Sequence, residues 1–199
     1  CAGLQQQDCS DRDGTMARDT LSDFASLSLE GSGLERRSRV PERKRGPDYA
    51  ERFDAHTLWV DAVWRDGIVR LIAPRLNNLR KAVRRAEFAL DGRPVRPRIR
   101  QFYRHAVLTL PAPEKPARVT VRIGDWRGET GVHGPQDARF AGRNVLFTLS
   151  RNDDPAWIED WVRFHVHHHG ADAVAFVDNG STLHSLDAIR AAIRRGGVE

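Results

Sequence analysis

Cysteine is nearly missing from this chain of 199 residues: only Cys1 and Cys9 occur, both in a polar amino-terminal stretch. Two close cysteines with no second pair make neither a zinc site nor a disulfide framework. Methionine occurs once, at Met16, so residues 1–15 stand open as upstream translation or a fragment edge. No apolar run approaches the ~20 residues of a membrane-spanning helix, and the start carries no secretory pattern. The expectation is a soluble, cytoplasmic protein without a transmembrane segment. Lysine is scarce as well, at Lys44, Lys81 and Lys115 only. The rest of the basic charge is arginine, a bias that reads as coding composition. A net charge of +5 and a pI of about 9.8 suit polyanions in general. The arginines are scattered along the sequence, and no aromatic-interleaved motif accompanies them, so nucleic acid is not an expected partner.

Composition divides the chain into three. Residues 1–52 are polar and charged and read as a disordered linker, because so little apolar surface cannot offset the entropy of ordering. A weak helix over residues 20–29 is the one element expected there. Residues 53–142 read as a β-rich domain. Residues 57–65 (TLWVDAVWR) and 68–73 (IVRLIA) flank Asp66-Gly67, and residues 86–90 (AEFAL) and 93–99 flank Asp91-Gly92. Asp and Gly both tolerate positive φ, so each pair predicts a tight hairpin. Residues 76–85 are ambiguous: Leu76, Leu79 and Val83 have helical spacing. Residues 105–110 (HAVLTL) and 118–123 (RVTVRI) follow, the latter alternating apolar and polar like a half-buried strand. Short strands with frequent turns suggest an antiparallel sandwich. Trp59, Trp64, Tyr103 and Trp126 form either part of its core or a sugar-stacking face.

Residues 143–199 read differently. The run 144–150 (NVLFTLS) is almost continuously apolar, as a parallel strand covered on both faces is. Asp153 or Asp154 caps the next helix, with Pro155 in its first turn. Trp157, Ile158, Trp161, Val162 and His165 recur at helical spacing, and Gly170 supplies the stop. Residues 173–177 (AVAFV) form a second strand that ends in Asp178-Asn179-Gly180-Ser181-Thr182. Ser185 caps a last helix with Leu186, Ile189 and Ile193 on one face. A strand–helix–strand crossover makes the strands parallel and puts both polar loops on one edge, where such folds bind ligands. A helix amino terminus in the first loop favours an anion such as a diphosphate. Carboxylates at strand ends accept hydrogen bonds from ribose hydroxyls or a base N–H. On spacing alone, Asp153 and Asp178 read equally well as capping and turn residues. His165 and His169 lie one helical turn apart, but no third ligand is placed with them.

Three pieces in combination carry a resemblance: Asn152-Asp153 after the first strand, the helix WVRFHVHHHGAD (161–172), and the strand end DNGST (178–182). Over about 50 residues the chain resembles the opening of a glycosyltransferase of the GT-A fold, similar to glycosyltransferase family 2. The resemblance implies a fold class of an incomplete, Rossmann-like α/β domain behind the β-sandwich-like one. It implies transfer of a sugar from a nucleotide-diphosphate donor to a glycan acceptor, in polysaccharide biosynthesis. By it, Thr148, Ser150, Asn152 and Asp153 line the nucleotide pocket, Asp178 contacts base or ribose, and Asn179, Gly180 and Ser181 shape the floor. It also implies a divalent Mn or Mg ion. No Asp-x-Asp motif follows residue 182, however, so no metal ligand and no catalytic base are assigned, and Leu183 stands where the family often has an acidic residue. The domain is expected to be truncated at Glu199 and inactive by itself. The alternative is a non-catalytic carbohydrate-binding or assembly module that works through the β-rich domain.

Overall fold

The computed structural model describes residues 24–198. They are organised in two compact units that meet in sequence between Pro135 and Gln136. Their elements, in chain order, are β1 (Leu27–Ser28), α1 (Tyr49–Arg52), β2 (Thr57–Trp59), β3 (Asp61–Arg65), β4 (Ile68–Pro74), α2 (Arg80–Arg85), β5 (Glu87–Leu90), β6 (Arg93–Val95), β7 (Arg98–Gln101), β8 (His105–Pro111), β9 (Arg118–Ile123), β10 (Trp126–Gly131), β11 (Val145–Ser150), α3 (Pro155–His169), β12 (Ala173–Asp178) and α4 (Leu186–Arg195). The fold is mixed α/β with mostly antiparallel pairing.

The first unit holds two four-stranded antiparallel sheets, ordered β3-β4-β8-β7 and β10-β9-β5-β6. Alternation along each strand decides which face is apolar. In β4, Val69, Leu71 and Ala73 are buried, and in β8 Ala106, Leu108 and Leu110. Phe88, Leu90, Val119 and Val121 do the same from the other sheet, and all ten belong to one hydrophobic core. That shared core makes the arrangement sandwich-like. Both expected hairpins form: Asp66 and Gly67 take φ 52° and 76°, Asp91 and Gly92 take φ 46° and 80°, the pair of positive values that the tightest hairpin turn requires.

Several boundaries differ from expectation. The run 57–65 breaks at Val60: β2 pairs with β1, while β3 pairs with β4. Residues 93–99 likewise split at Arg96-Pro97, where Pro97 has no N–H to give a ladder; β6 joins β5 and β7 joins β8 in the other sheet. The ambiguous residues 76–85 resolve into a short 3-10 turn and α2. The linker expected up to residue 52 is corrected over its described part. Ala25, Leu27 and Leu29 enter the core, and the Arg36 guanidinium is buried against the carbonyls of Asp54 and Thr57. Three apolar side chains and one internal arginine anchor enough contacts to order the segment. The helix expected over 20–29 is absent from its described part, where Leu27–Ser28 is extended; residues 20–23 lie outside the described residues.

The second unit is built on one parallel pair. β11 and β12 run in register from Val145 opposite Ala173 to Ser150 opposite Asp178. Helices α3 and α4 pack together on the sheet face that carries Phe176, with Ile158, Ile189, Ala192 and Ile193 in one cluster. At Gly196 a Cβ would meet Val162 at 2.6 Å, so the absence of a side chain there lets the end of α4 close on α3. Gly170 ends α3 at φ 61°, its N–H and that of Ala171 returning to the carbonyls of Val166 and His165. Among the described residues, no helix is long and apolar enough to cross a membrane.

Candidate functional site

The site residues sit where β11 and β12 end. Ser150 is buried, is the register partner of Asp178, and donates its hydroxyl to Asp153 Oδ2 at 2.7 Å. Both carboxylates therefore neighbour the same serine. Asp153 is left free for this because Asp154, not Asp153, caps α3: its carboxylate accepts from the Ala156 N–H at 2.8 Å. Pro155 follows in the first turn, where a missing N–H leaves nothing unsatisfied. At the head of α4, Ser185 accepts from the Ala188 N–H at 3.2 Å, as its position predicts.

The two loops are locked to each other. Asn152 sits at φ 60°, a left-handed conformation that Asn tolerates better than most residues. Its N–H donates to Ser181 Oγ at 2.8 Å, and the Ser181 hydroxyl donates in turn to Asp178 Oδ1. Its side-chain carbonyl accepts from the N–H groups of Thr182 and Leu183 at 2.7 and 3.0 Å. The Asn179 N–H extends the sheet by donating to the Ser150 carbonyl at 2.8 Å. Gly180, at φ 74°, supplies the turn that brings Ser181 back over Asp178.

This network has an electrostatic consequence. The Ser181 hydroxyl, helped by the N–H groups of Ser181 and Gly180 and opposed by partial desolvation, holds the Asp178 carboxyl below the usual aspartate range. Hydrogen bonds to the charged form favour it. Asp178 is thus a fixed anion with its two oxygens oriented by its own loop.

The expected residues divide in three. Ser150, Asn152, Asp153, Asp178 and Ser181 are joined by hydrogen bonds. Asn179 and Gly180 contribute backbone, and the Asn179 side chain is exposed. Thr148, half-buried opposite Phe176, lies two residues short of the tip. The Asn152 side-chain carbonyl holds the neighbouring loop. One residue was overlooked: Arg151, exposed in the first loop beside the start of α3, with no ion pair among the described residues. Its place between Ser150 and Asn152 was the available signal.

No family model, curated protein or solved structure matches the chain. Its chemistry is therefore read from its own residues. For the metal implied by the glycosyltransferase resemblance, the test is the donor set. Among the described residues no three His, Cys, Asp or Glu side chains come together to hold an ion. The His165 and His169 rings are 5.1 Å apart and both lie against the Phe164 ring, while His167 and His168 are exposed. These residues do not fit a divalent cation.

The aromatic residues of the first unit are not a common sugar-stacking face. Trp59 is fully buried and donates its indole N–H to the Ala25 carbonyl at 3.1 Å. Trp64 is half-buried with its N–H on the Ala112 carbonyl at 2.8 Å. The Trp126 ring covers Gly128, where a Cβ would lie 2.5 Å from it. Only Tyr103 of the four is open, at 84% exposure.

Proposed function

We propose that the second unit binds a nucleotide-diphosphate sugar at the tips of β11 and β12 and belongs to a GT-A-type glycosyltransferase acting on a glycan. The observation that carries this reading is the hydrogen-bonded locking of two acidic strand-end loops on one edge of a parallel pair, with Ser150 opposite Asp178. Preorganised acceptors cost no reordering when a ligand arrives. Asp178, held ionised, accepts from a ribose hydroxyl or a base N–H. Arg151 and the amino terminus of α3 supply the positive potential that a diphosphate needs. Asp153, fixed by Ser150, offers a second acceptor for sugar hydroxyls. The combination of Asn152-Asp153, the 161–172 helix and 178–182 supports the same class. No group is assigned as a catalytic base.

The test is titration of the full chain with uridine and guanosine diphosphate sugars, with and without manganese, by calorimetry. Binding that falls about tenfold or more in Asp178→Ala, as loss of a charged hydrogen-bond acceptor implies, supports the reading. Binding that ignores Asp178, or follows free neutral glycan instead, overturns it.

A further inference from the structure

The arginines that are dispersed in sequence gather in the first unit. Residues 22–135 carry 23 basic against 14 acidic side chains, net +9, whereas residues 136–199 carry 7 against 9, net −2. The excess is concentrated along three clefts that share lining residues. The first, about 750 Å³, sets Arg36, Arg52, Arg75 and Arg104 against Asp48 and Asp54, beside the mutually stacked rings of Tyr49 and Phe53. It meets the second, about 520 Å³, at Asn77. The second shares Arg80, Arg84 and Arg85 with the third, about 560 Å³, which adds Arg96.

Helix α2 forms the centre of this trough and contains no acidic residue. Arg80 and Arg84, and Lys81 and Arg85, are like charges four residues apart, a destabilising spacing. Arg84 and Arg85 complement the helix carboxyl terminus, but Arg80 and Lys81 stand at its positive end. Among the described residues, none of Arg80, Lys81, Arg84, Arg85 and Arg96 is within ion-pair distance of a carboxylate. Elsewhere on the same unit arginines are paired, as Arg118 with Glu129 at 2.8 Å and Arg122 with Glu87 at 2.5 Å. Arg36 is neutralised by Asp54 in the first cleft, and Glu87 on the third is taken up by Arg122, so the unneutralised cations are those of α2 and Arg96, and such groups along joined concavities call for a polymer that brings its own repeated anions.

We infer that this trough binds an acidic polysaccharide, one bearing carboxylates along a single chain. The inference rests on the glycosyltransferase reading for its biological sense, as the acceptor, but not for its physics. The planar guanidinium fork matches a carboxylate in two-point geometry. Single-stranded nucleic acid uses aromatic platforms along its path, and beyond the Tyr49–Phe53 pair of the first cleft no aromatic residue lines the trough.

The full chain is titrated, without nucleotide sugar, with polygalacturonate, with its methyl-esterified neutral form, and with oligothymidylate of matched charge. The expected result is salt-sensitive binding of polygalacturonate, with the ester and the oligonucleotide each weaker by about tenfold or more. Arg84→Gln with Arg85→Gln, both exposed, weakens it by about tenfold at unchanged circular dichroism, while Arg127→Gln, outside the trough and beside Glu129, leaves it unchanged. Equal or tighter oligonucleotide binding, equal binding of the ester, or no binding of polygalacturonate overturns the inference. Donor binding at Asp178 is read separately: polygalacturonate binding without donor binding sinks the transferase reading alone, and the reverse sinks this one alone.

Discussion

The two units solve the problem of covering a sheet in opposite ways. In the first, each sheet turns its apolar face to the same core, and Val69, Leu71, Leu108, Leu110, Val119 and Val121 are at most 1% exposed. In the second, β11 and β12 have one face under α3 and α4, while the face shared by Phe147 and Leu149 is open, at 73% and 61% exposure. Their apolar content looks alike in sequence. The difference lies in pairing: eight strands provide two opposed faces, and two strands provide one face and an uncovered reverse. The units differ in charge too, the closed one strongly basic and the open one mildly acidic.

The sharpest way to break this comparison is to exchange buried and exposed aromatics. Trp59→Ala removes a fully buried indole and its hydrogen bond to Ala25. The expected loss is about 3–5 kcal/mol, read by denaturant titration with hydrogen exchange of β4 and β8 amides. Phe147→Ala, on the open face, is expected to change stability by less than about 0.5 kcal/mol. Similar losses from both would show that the face of β11 is covered in solution, and the contrast would fall.

A smaller effect probes how the second unit closes its one core. Gly196→Ala places a Cβ 2.6 Å from Val162, too close without a shift of α4 away from α3. Overpacking of this kind costs about 1–3 kcal/mol. Faster exchange of α4 amides is the readout. If the variant were neutral, the α3–α4 contact would be softer than its geometry indicates.

Smaller again is the loop lock. Asn152→Ala removes the acceptor for two backbone N–H groups and leaves a β-carbon residue at φ 60°. About 1–2 kcal/mol of local stability is at stake, measured as exchange of the Thr182 and Leu183 amides. The same substitution is expected to weaken donor binding although Asn152 need not touch the ligand, because the position of Ser181 over Asp178 depends on it.

Local signals in the sequence proved far more readable than distant ones. Asp66-Gly67 and Asp91-Gly92 announce their hairpins because the turn's backbone angles are decided by two adjacent residues. Asp154-Pro155, Gly170 and Ser185 mark helix ends for the same reason. The break at Val60 was not legible, since β-branched and aromatic residues continue through it and only the partners of β2 and β3 differ. Nor was the order of residues 24–52, whose few apolar side chains matter through what they pack against. The strand tips of the site were foreseen from spacing. The lock between Asn152 and Ser181 was not, because it joins positions 29 residues apart whose types are common in any loop. The basic trough was hidden for the same reason: Arg36, Arg75 and Arg104 converge only once the strands have paired.

The finest test concerns the charge that the second unit holds fixed. Asp178 has a folded-state pKa below its ordinary value because the Ser181 hydroxyl, first among its partners, stabilises the ionised form. A depressed carboxyl contributes stability that is present above the unfolded pKa and fades as pH falls through the folded one. The stabilisation is therefore complete at neutral pH, and its loss is confined to the acid range, below the ordinary aspartate midpoint. Ser181→Ala removes the principal donor, so the Asp178 midpoint is expected to rise toward that of a free aspartate, as followed by carboxyl-carbon NMR titration. A Ser181→Ala chain in which Asp178 titrates as before would show that the loop does not hold its carboxylate, and the preorganised anion on which the donor site depends would be lost.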